Sequence, residues 1–222
     1  TIMLAILYWK WNNFTYVYRP LTEVAHNYDN DPLFLEKLEN LMNIKPFYKT
    51  IHEMPKKIPY INGKDIIHRI KKHPELLTKE TLKPIKDMYY ANKDPDWYKN
   101  GKVNISLHIR KDNKGDVPTT VPTKIPHEYY TNQIKNLRNK FPDALFHIYS
   151  QGDKKDFECF FADDIVLHLD EPLVDTFRGL VAADVFVTHY STMSYVAALL
   201  SNGIVYFKDC ALTPCPHWII CK

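Results

Sequence analysis

The chain predicts an α/β protein with a doubly wound parallel sheet in its C-terminal half and a smaller, mainly helical N-terminal half. Three observations carry this. From residue 103 onward, short apolar runs of strand length alternate with amphipathic helical stretches. Polar residues cluster directly after each run. The first hundred residues instead show helical periodicity with little strand pattern.

In chain order, Ile2–Trp11 reads as a helix and 14–18 as a strand ending at Arg19-Pro20. Residues 33–43, 64–72 and 78–91 read as further helices. Residues 92–102, with Asp94-Pro95 and Asn100-Gly101, have linker composition and place a domain boundary there, giving domains 1–100 and 101–222. The strand runs are 103–109, 144–149, 165–169, 184–188 and 203–207, rich in Val, Ile, Phe and Tyr. Between them, Tyr130, Ile134, Leu137 and Phe141 recur at helical spacing up to Pro142. A second helix begins at Pro172 and places Leu173, Phe177, Leu180 and Val181 on one face. A third covers 191–200 and stops before Asn202-Gly203, read as its C-cap. Strands alternating with helices imply a parallel sheet covered on both sides.

With 222 residues and a hydrophobic fraction of 45%, the chain can bury a substantial core without a disulfide framework. The net charge of +3 is small. Sixteen basic against 12 acidic residues in 1–100, and 13 against 14 beyond, make no stripe for a phosphate backbone, so no nucleic-acid partner is expected. The apolar start from Ile2 to Trp9 falls short of the ~20 residues a membrane span requires, and it lacks the features of a secretory leader. The chain opens inside a helix at Thr1, which suggests a segment of a longer protein with further domains. Cys159, Cys210, Cys215 and Cys221 lack a Cys-x-x-Cys knuckle, and beside His217 their spacing suits zinc poorly. Reduced or incidentally paired thiols in a cytoplasmic protein, with no metal site, are the expectation. Of two N-glycosylation sequons, at Asn13 and Asn104, the second falls in a strand run.

In an open α/β sheet, ligands sit beyond the carboxyl ends of the strands. There the chain places His108, Arg110, Lys111 and Asp112, then 150–153, Asp170-Glu171, and 189–192. Arg110 offers a planar fork for two phosphate oxygens. Ser191, Thr192 and Ser194 open a helix whose first N–H groups face an anion, although a Ser-Thr pair there also makes an ordinary N-cap. No GxxxxGK[ST] loop or GxGxxG turn occurs, which disfavours kinases and dinucleotide enzymes.

His108-Ile109-Arg110-Lys111, followed by Gly115-Asp116, resembles the HxRRGD-type motif of the fucosyltransferase-like GT-B superfamily. Residues 184–200 (DVFVTHYSTMSYVAALL) resemble its second signature, and the stretch from His168 to Asp184 matches in pattern. The resemblance covers 103–207, about half the chain. It implies a GT-B fold and an inverting, metal-independent glycosyltransferase. The donor would be a nucleotide-diphosphate 6-deoxy-L-hexose, L-fucose or L-rhamnose, and the acceptor a glycan hydroxyl. The N-terminal half would lie on the acceptor side, and no cofactor beyond the donor is implied. Small modules of this pattern occur in bacterial and large-virus glycan assembly. His108 and Arg110 then belong to the donor site, with Ser191 and Thr192 at its phosphates and Ser194 supporting the helix turn. Asp175 is the nearest match for the acid that reads the base or ribose. Asp112 or Asp116 would be the general base, with His26 or Glu53 next in line. Two departures stand out. The family's early glycine-rich loop would lie upstream of Thr1, and Lys-Asp-Asn-Lys intervenes before Gly115-Asp116.

Two other readings fit parts of the chain. Asp29-Asn30-Asp31 is a DxD pair that could hold a divalent cation on a diphosphate in a GT-A enzyme, though it also makes a good turn. A non-catalytic carbohydrate- or nucleotide-binding module is the third, since fold alone does not establish activity.

Overall fold

The computed structural model describes residues 2–22, 27, 30–50, 63–94, 96–111 and 124–221. They form two compact units, Thr1–Asp94 with Ala211–His217, and Pro95–Cys210 with Trp218–Lys222.

Among the described residues the first unit contains four α-helices: α1 (Ile2–Trp11), α2 (Phe34–Met42), α3 (Gly63–Lys72) and α4 (Lys79–Tyr90). Their core is Ile6, Leu7, Ile66, Ile70, Leu82, Ile85 and Met88, all nearly inaccessible to solvent. Thr78 caps α4 by accepting the Thr81 N–H at 3.3 Å. The strand expected at 14–18 does not form, and Tyr18 makes only an isolated bridge to Thr50. A β-prone run needs a neighbouring strand to pair with, and this run has no such neighbour among the described residues. Tyr18 instead turns its hydroxyl onto the buried Glu39 carboxylate of α2, which also accepts the Leu21 N–H at 3.1 Å and pairs with Lys45 at 2.5 Å. Burial opposes ionisation of Glu39, but Lys45, the Tyr18 hydroxyl and the Leu21 N–H together hold its carboxyl below the usual range.

The second unit is built on a six-stranded sheet with every pairing parallel. Its strands are β1 (Asn104–His108), β2 (Leu145–Ser150), β3 (Ile165–Leu169), β4 (Val185–Val187), β5 (Ile204–Lys208) and β6 (Ile219–Cys221). Five coincide with the apolar runs to within a residue or two. The sixth lies in the cysteine-rich tail and is three residues long, too short for a periodic signal. The connections are α5 (His127–Lys140), a 3₁₀ helix at Lys154–Phe160, α6 (Leu173–Ala182) and α7 (Thr192–Leu200).

Alternation along β1 sorts its two faces. Ile105, Leu107 and Ile109 enter a core with Tyr130, Ile134 and Leu137 of α5 and Phe157 and Phe160 of the 3₁₀ helix. On the opposite face, Ser106 donates to the Gly179 carbonyl of α6 at 3.2 Å, and His108 meets Ser194 of α7. Helices thus cover both faces, and every residue of β1 is buried.

The face under α6 is unusually polar for a parallel sheet. His147 Nε2 lies 3.0 Å from Asn104 Oδ1, and its Nδ1 lies 2.9 Å from His168 Nε2. The Asn104 amide nitrogen is occupied by the Lys102 carbonyl at 2.8 Å, so its oxygen faces His147 and Nε2–H donates. His147 Nδ1 therefore accepts from His168, whose Nδ1 meets Glu171 at 2.7 Å. Tyr98 covers this row, its ring 4.2 Å from His147 and its hydroxyl donating to the Gly179 carbonyl at 2.7 Å. Asn104, the second sequon asparagine, is thus buried inside the network.

Burial, reinforced by His168, pushes the His147 imidazole down to about 4. Burial, with His189 and Arg110 nearby, pushes His108 down to about 3. Below about pH 6.5 the unfolded chain takes up protons that these rings refuse until the pH is far lower. Each histidine then removes about 1.4 kcal/mol of stability per pH unit, so stability is complete above that range and falls on acidification. The urea midpoint should drop steeply between pH 7 and pH 5, and His147→Gln should flatten the slope. A midpoint constant across this window would contradict the buried, neutral state of both rings.

The close of α7 differs from expectation. The helix ends at Leu200 with an extended Ser201 as C-cap, so Gly203 is not the capping residue. Its lack of a side chain is required for another reason: a Cβ at 203 would stand 2.2 Å from the Ala183 carbonyl oxygen and 2.6 Å from that of Asp184.

Candidate anion site at the sheet switch point

The strand order β3-β2-β1-β4-β5-β6 reverses direction between β1 and β4. At such a switch point the loops beyond two adjacent strands diverge to opposite faces and leave a crevice at their carboxyl ends. Beyond β1 lie Ile109, Arg110 and Lys111, and beyond β4 lie Thr188, His189, Tyr190 and the start of α7.

Five of the residues singled out from sequence converge here. His108 closes β1, Arg110 follows two residues later, and Ser191, Thr192 and Ser194 open α7. His108 Nδ1 and Ser194 Oγ lie 2.5 Å apart, and both residues are buried. Ser191 is the N-cap, its hydroxyl oxygen accepting the Met193 N–H at 3.2 Å, so the ordinary capping reading of this residue holds. Thr192, the first helical residue, is exposed. Arg110 is half-buried and close enough to His108 to disfavour its protonation. Asp175 stands apart from this group, in the first turn of α6 beyond β3, two strands from β1.

Asp112, Asp116, His26, Glu53 and Asp29 lie outside the described residues. Asp31, the second acid of the DxD pair, is committed locally: it pairs with Lys37 at 2.6 Å and accepts the Leu33 N–H at 2.9 Å. Lys37 and the Leu33 N–H hold its carboxyl below the usual range, as befits the turn that leads into α2. Among the described residues no cluster of three or more His, Cys, Asp or Glu is arranged to hold a metal ion, and none of the four cysteines forms a disulfide. No helix among them is long and apolar enough to cross a membrane.

The neighbouring loops are spent on each other. Asp170, at a φ of 54°, accepts the Gly152 N–H with both carboxylate oxygens at 3.2 and 3.1 Å. Lys111 pairs with Asp156 at 2.5 Å and lies over the Phe157 ring, so the second basic residue of the motif has a structural partner. The loop after β2 turns beneath Lys111 at Gly152, whose φ of 102° favours glycine and which leaves room for the Lys111 ammonium.

Three residues outside the loops predicted from sequence, Tyr129, Tyr130 and Lys208, also stand at this edge. Tyr130 of α5 stacks on the His189 ring, with planes 7° apart and centroids 6.3 Å apart. Lys208 closes β5 with its ammonium 4.6 Å from the Tyr129 ring centroid and 6.0 Å from that of Tyr190. Burial pushes both the Tyr129 and Tyr130 phenols up, so they stay neutral donors. The signal for Lys208 was positional: it is the first residue after the fifth apolar run. An open groove of about 640 Å³, lined by Lys102, Val103, Phe141, Asp143 and Asp164, lies at the amino-terminal edge of the same sheet, the end opposite the switch point.

No protein-family model matches the chain, and no curated protein matches it. Among solved structures it is similar to the crystal structure of POFUT1 in complex with GDP, at 14% identity and a TM-score of 0.39, over 82% of this chain and 60% of that one. The chain therefore spans less than two thirds of the length of that protein.

Proposed function

We propose that this chain is a glycosyltransferase unit that binds a nucleotide-diphosphate sugar at the β1/β4 switch point. The observation that carries the reading is the joint placement of Arg110 beyond the central strand and the α7 N-terminus beyond its neighbour. A permanent cation with two parallel N–H donors and a helix end of partial positive charge suit a diphosphate leaving group. The resemblance of 108–116 and 184–200 to fucosyltransferase-like GT-B motifs supports the same assignment. In this reading His108, Ser191 and Thr192 complete the phosphate contacts, and Asp175 reads the base or ribose.

The finer proposal is inverting transfer of a 6-deoxy-L-hexose, L-fucose or L-rhamnose, to a glycan hydroxyl. Transfer needs a base for the acceptor proton and stabilisation of charge on the departing diphosphate. Asp112 or Asp116 takes the first role, since both sit on the segment following Arg110. Arg110 and α7 take the second, and residues of the N-terminal half are proposed to bind the acceptor.

The test is release of nucleoside diphosphate from GDP-, UDP- and dTDP-linked L-fucose and L-rhamnose, with and without a glycan acceptor. Turnover should survive EDTA. Turnover abolished by EDTA and restored by Mn²⁺ would favour the DxD reading, and tight nucleotide binding without turnover of any donor would favour a binding module. Asp112→Asn and Asp116→Asn, assayed separately, should identify the base by a loss of about 10²-fold in turnover at near-normal donor affinity.

A further inference from the structure

Ser194 is wholly inaccessible to solvent, and its hydroxyl makes two contacts. Its oxygen accepts the His189 backbone N–H at 3.4 Å, and it lies 2.5 Å from His108 Nδ1. The direction of the second bond follows from satisfiability. A hydroxyl has one proton to place and two lone pairs. If His108 Nδ1–H donated to Ser194, the hydroxyl proton would be buried with no acceptor among the described residues, which is costly. If Ser194 donates to Nδ1, the hydroxyl, its lone pair toward His189 and the imidazole nitrogen are all satisfied. The proton of the ring is then on Nε2, and among the described residues no group accepts from it.

We infer that Ser194 is a positioning residue, its hydroxyl proton locking His108 in the Nε2–H tautomer so that the switch point presents an uncharged N–H donor beside Arg110 to a diphosphate. The inference rests on the reading of this crevice as a diphosphate site. Its chemical content is specific. Burial keeps the imidazole from charging across the physiological range, so Nε2–H remains a single fixed donor and not a titrating cation. The tautomer is selected by the bond at the other nitrogen. Ser194 therefore contributes to ligand binding without touching the ligand. This also accounts for a serine inside an otherwise apolar helix, where the side chain would be expected to weaken packing.

Two measurements test the inference. Long-range hydrogen–nitrogen correlation spectra of the histidine rings should show His108 with an unprotonated Nδ1 and a protonated Nε2 from about pH 5 to about pH 8, outside its titration range. In Ser194→Ala the fixed pattern should give way to averaged nitrogens. A protonated Nδ1 in the unmodified protein overturns the inference. The second measurement is calorimetric binding of inorganic pyrophosphate in a double-mutant cycle. Ser194→Ala should weaken pyrophosphate about tenfold when residue 108 is histidine. In a His108→Gln background, where an amide N–H stands near the Nε2 position whatever residue 194 is, the same change should cost less than about twofold. Equal losses in the two backgrounds would make Ser194 a packing residue and overturn its positioning role. If the tautomer is fixed as stated yet pyrophosphate fails to bind the unmodified protein, the diphosphate reading of the crevice is what falls.

Discussion

Arg110→Ala should lower turnover of the nucleotide-sugar donor by about 10²- to 10³-fold, the loss expected when a preorganised cation is removed from a developing anion. In the proposed transfer the charge on the departing diphosphate grows through the transition state, so the loss should appear mainly in kcat. Arg110→Lys separates charge from geometry. Lysine keeps the cation but loses the planar pair of donors, so nucleoside diphosphate should bind about tenfold more weakly. The backbone at this position is set by the parallel pairing of β1, in which Ile109 continues the ladder by donating to the Tyr149 carbonyl at 2.9 Å. Neither substitution should therefore disturb the fold, and thermal unfolding should stay close to that of the unmodified protein. Donor affinity and turnover that survive Arg110→Lys unchanged would remove Arg110 from the diphosphate site.

Gly203→Ala should be strongly destabilising to the second unit. The added Cβ would stand 2.2 Å from the Ala183 carbonyl oxygen, a backbone atom that cannot swing aside like the end of a side chain. That oxygen belongs to the segment entering β4, and Ile204 donates to the Asp184 carbonyl at 2.8 Å, so relief would require moving β4 or β5. Overpacking of this kind costs about 1–3 kcal/mol where side chains can adjust, and more where they cannot. For a chain of this size, about 3 kcal/mol corresponds to a fall in Tm of roughly 6–12 °C. Gly101→Ala is the comparison, because nothing lies within 4 Å of a Cβ there and its φ of 67° leaves only a backbone preference. A Tm for Gly203→Ala no lower than that of Gly101→Ala would contradict the close approach.

The second unit was legible because its strands are buried on both faces and so read as continuous apolar runs. The runs at 103–109 and 144–149 appear in the structure as β1 and β2, paired Leu107 to Ile148 in parallel register. The run at 14–18 has the same composition and failed, because composition reports only that a segment suits a sheet. Tyr18 found a buried carboxylate instead of a strand, and no local signal distinguishes those outcomes. Gly203 was readable as a special position, but the reason assigned to it was local. The actual reason is the carbonyl of Ala183, which is distant in the helix-to-strand path and adjacent only in space.

The sequence by itself determined the α/β class, the five main strands, and the gathering of polar residues beyond their ends. These follow from periodicity and from chain direction: in a parallel sheet every residue following a strand emerges at the same edge. Strand order was decided only by tertiary structure, because neighbours in a sheet need not be neighbours in the chain. That order makes β1 and β4 adjacent, brings His108 against Ser194 across 86 positions, and leaves Asp175 two strands away. It also spends Lys111 on Asp156 and Asp170 on Gly152, two commitments that no spacing in the chain encodes. Hydrogen-bond direction was decided last. Only when Ser194 is enclosed, with a single nitrogen left to take its proton, does the tautomer of His108 follow.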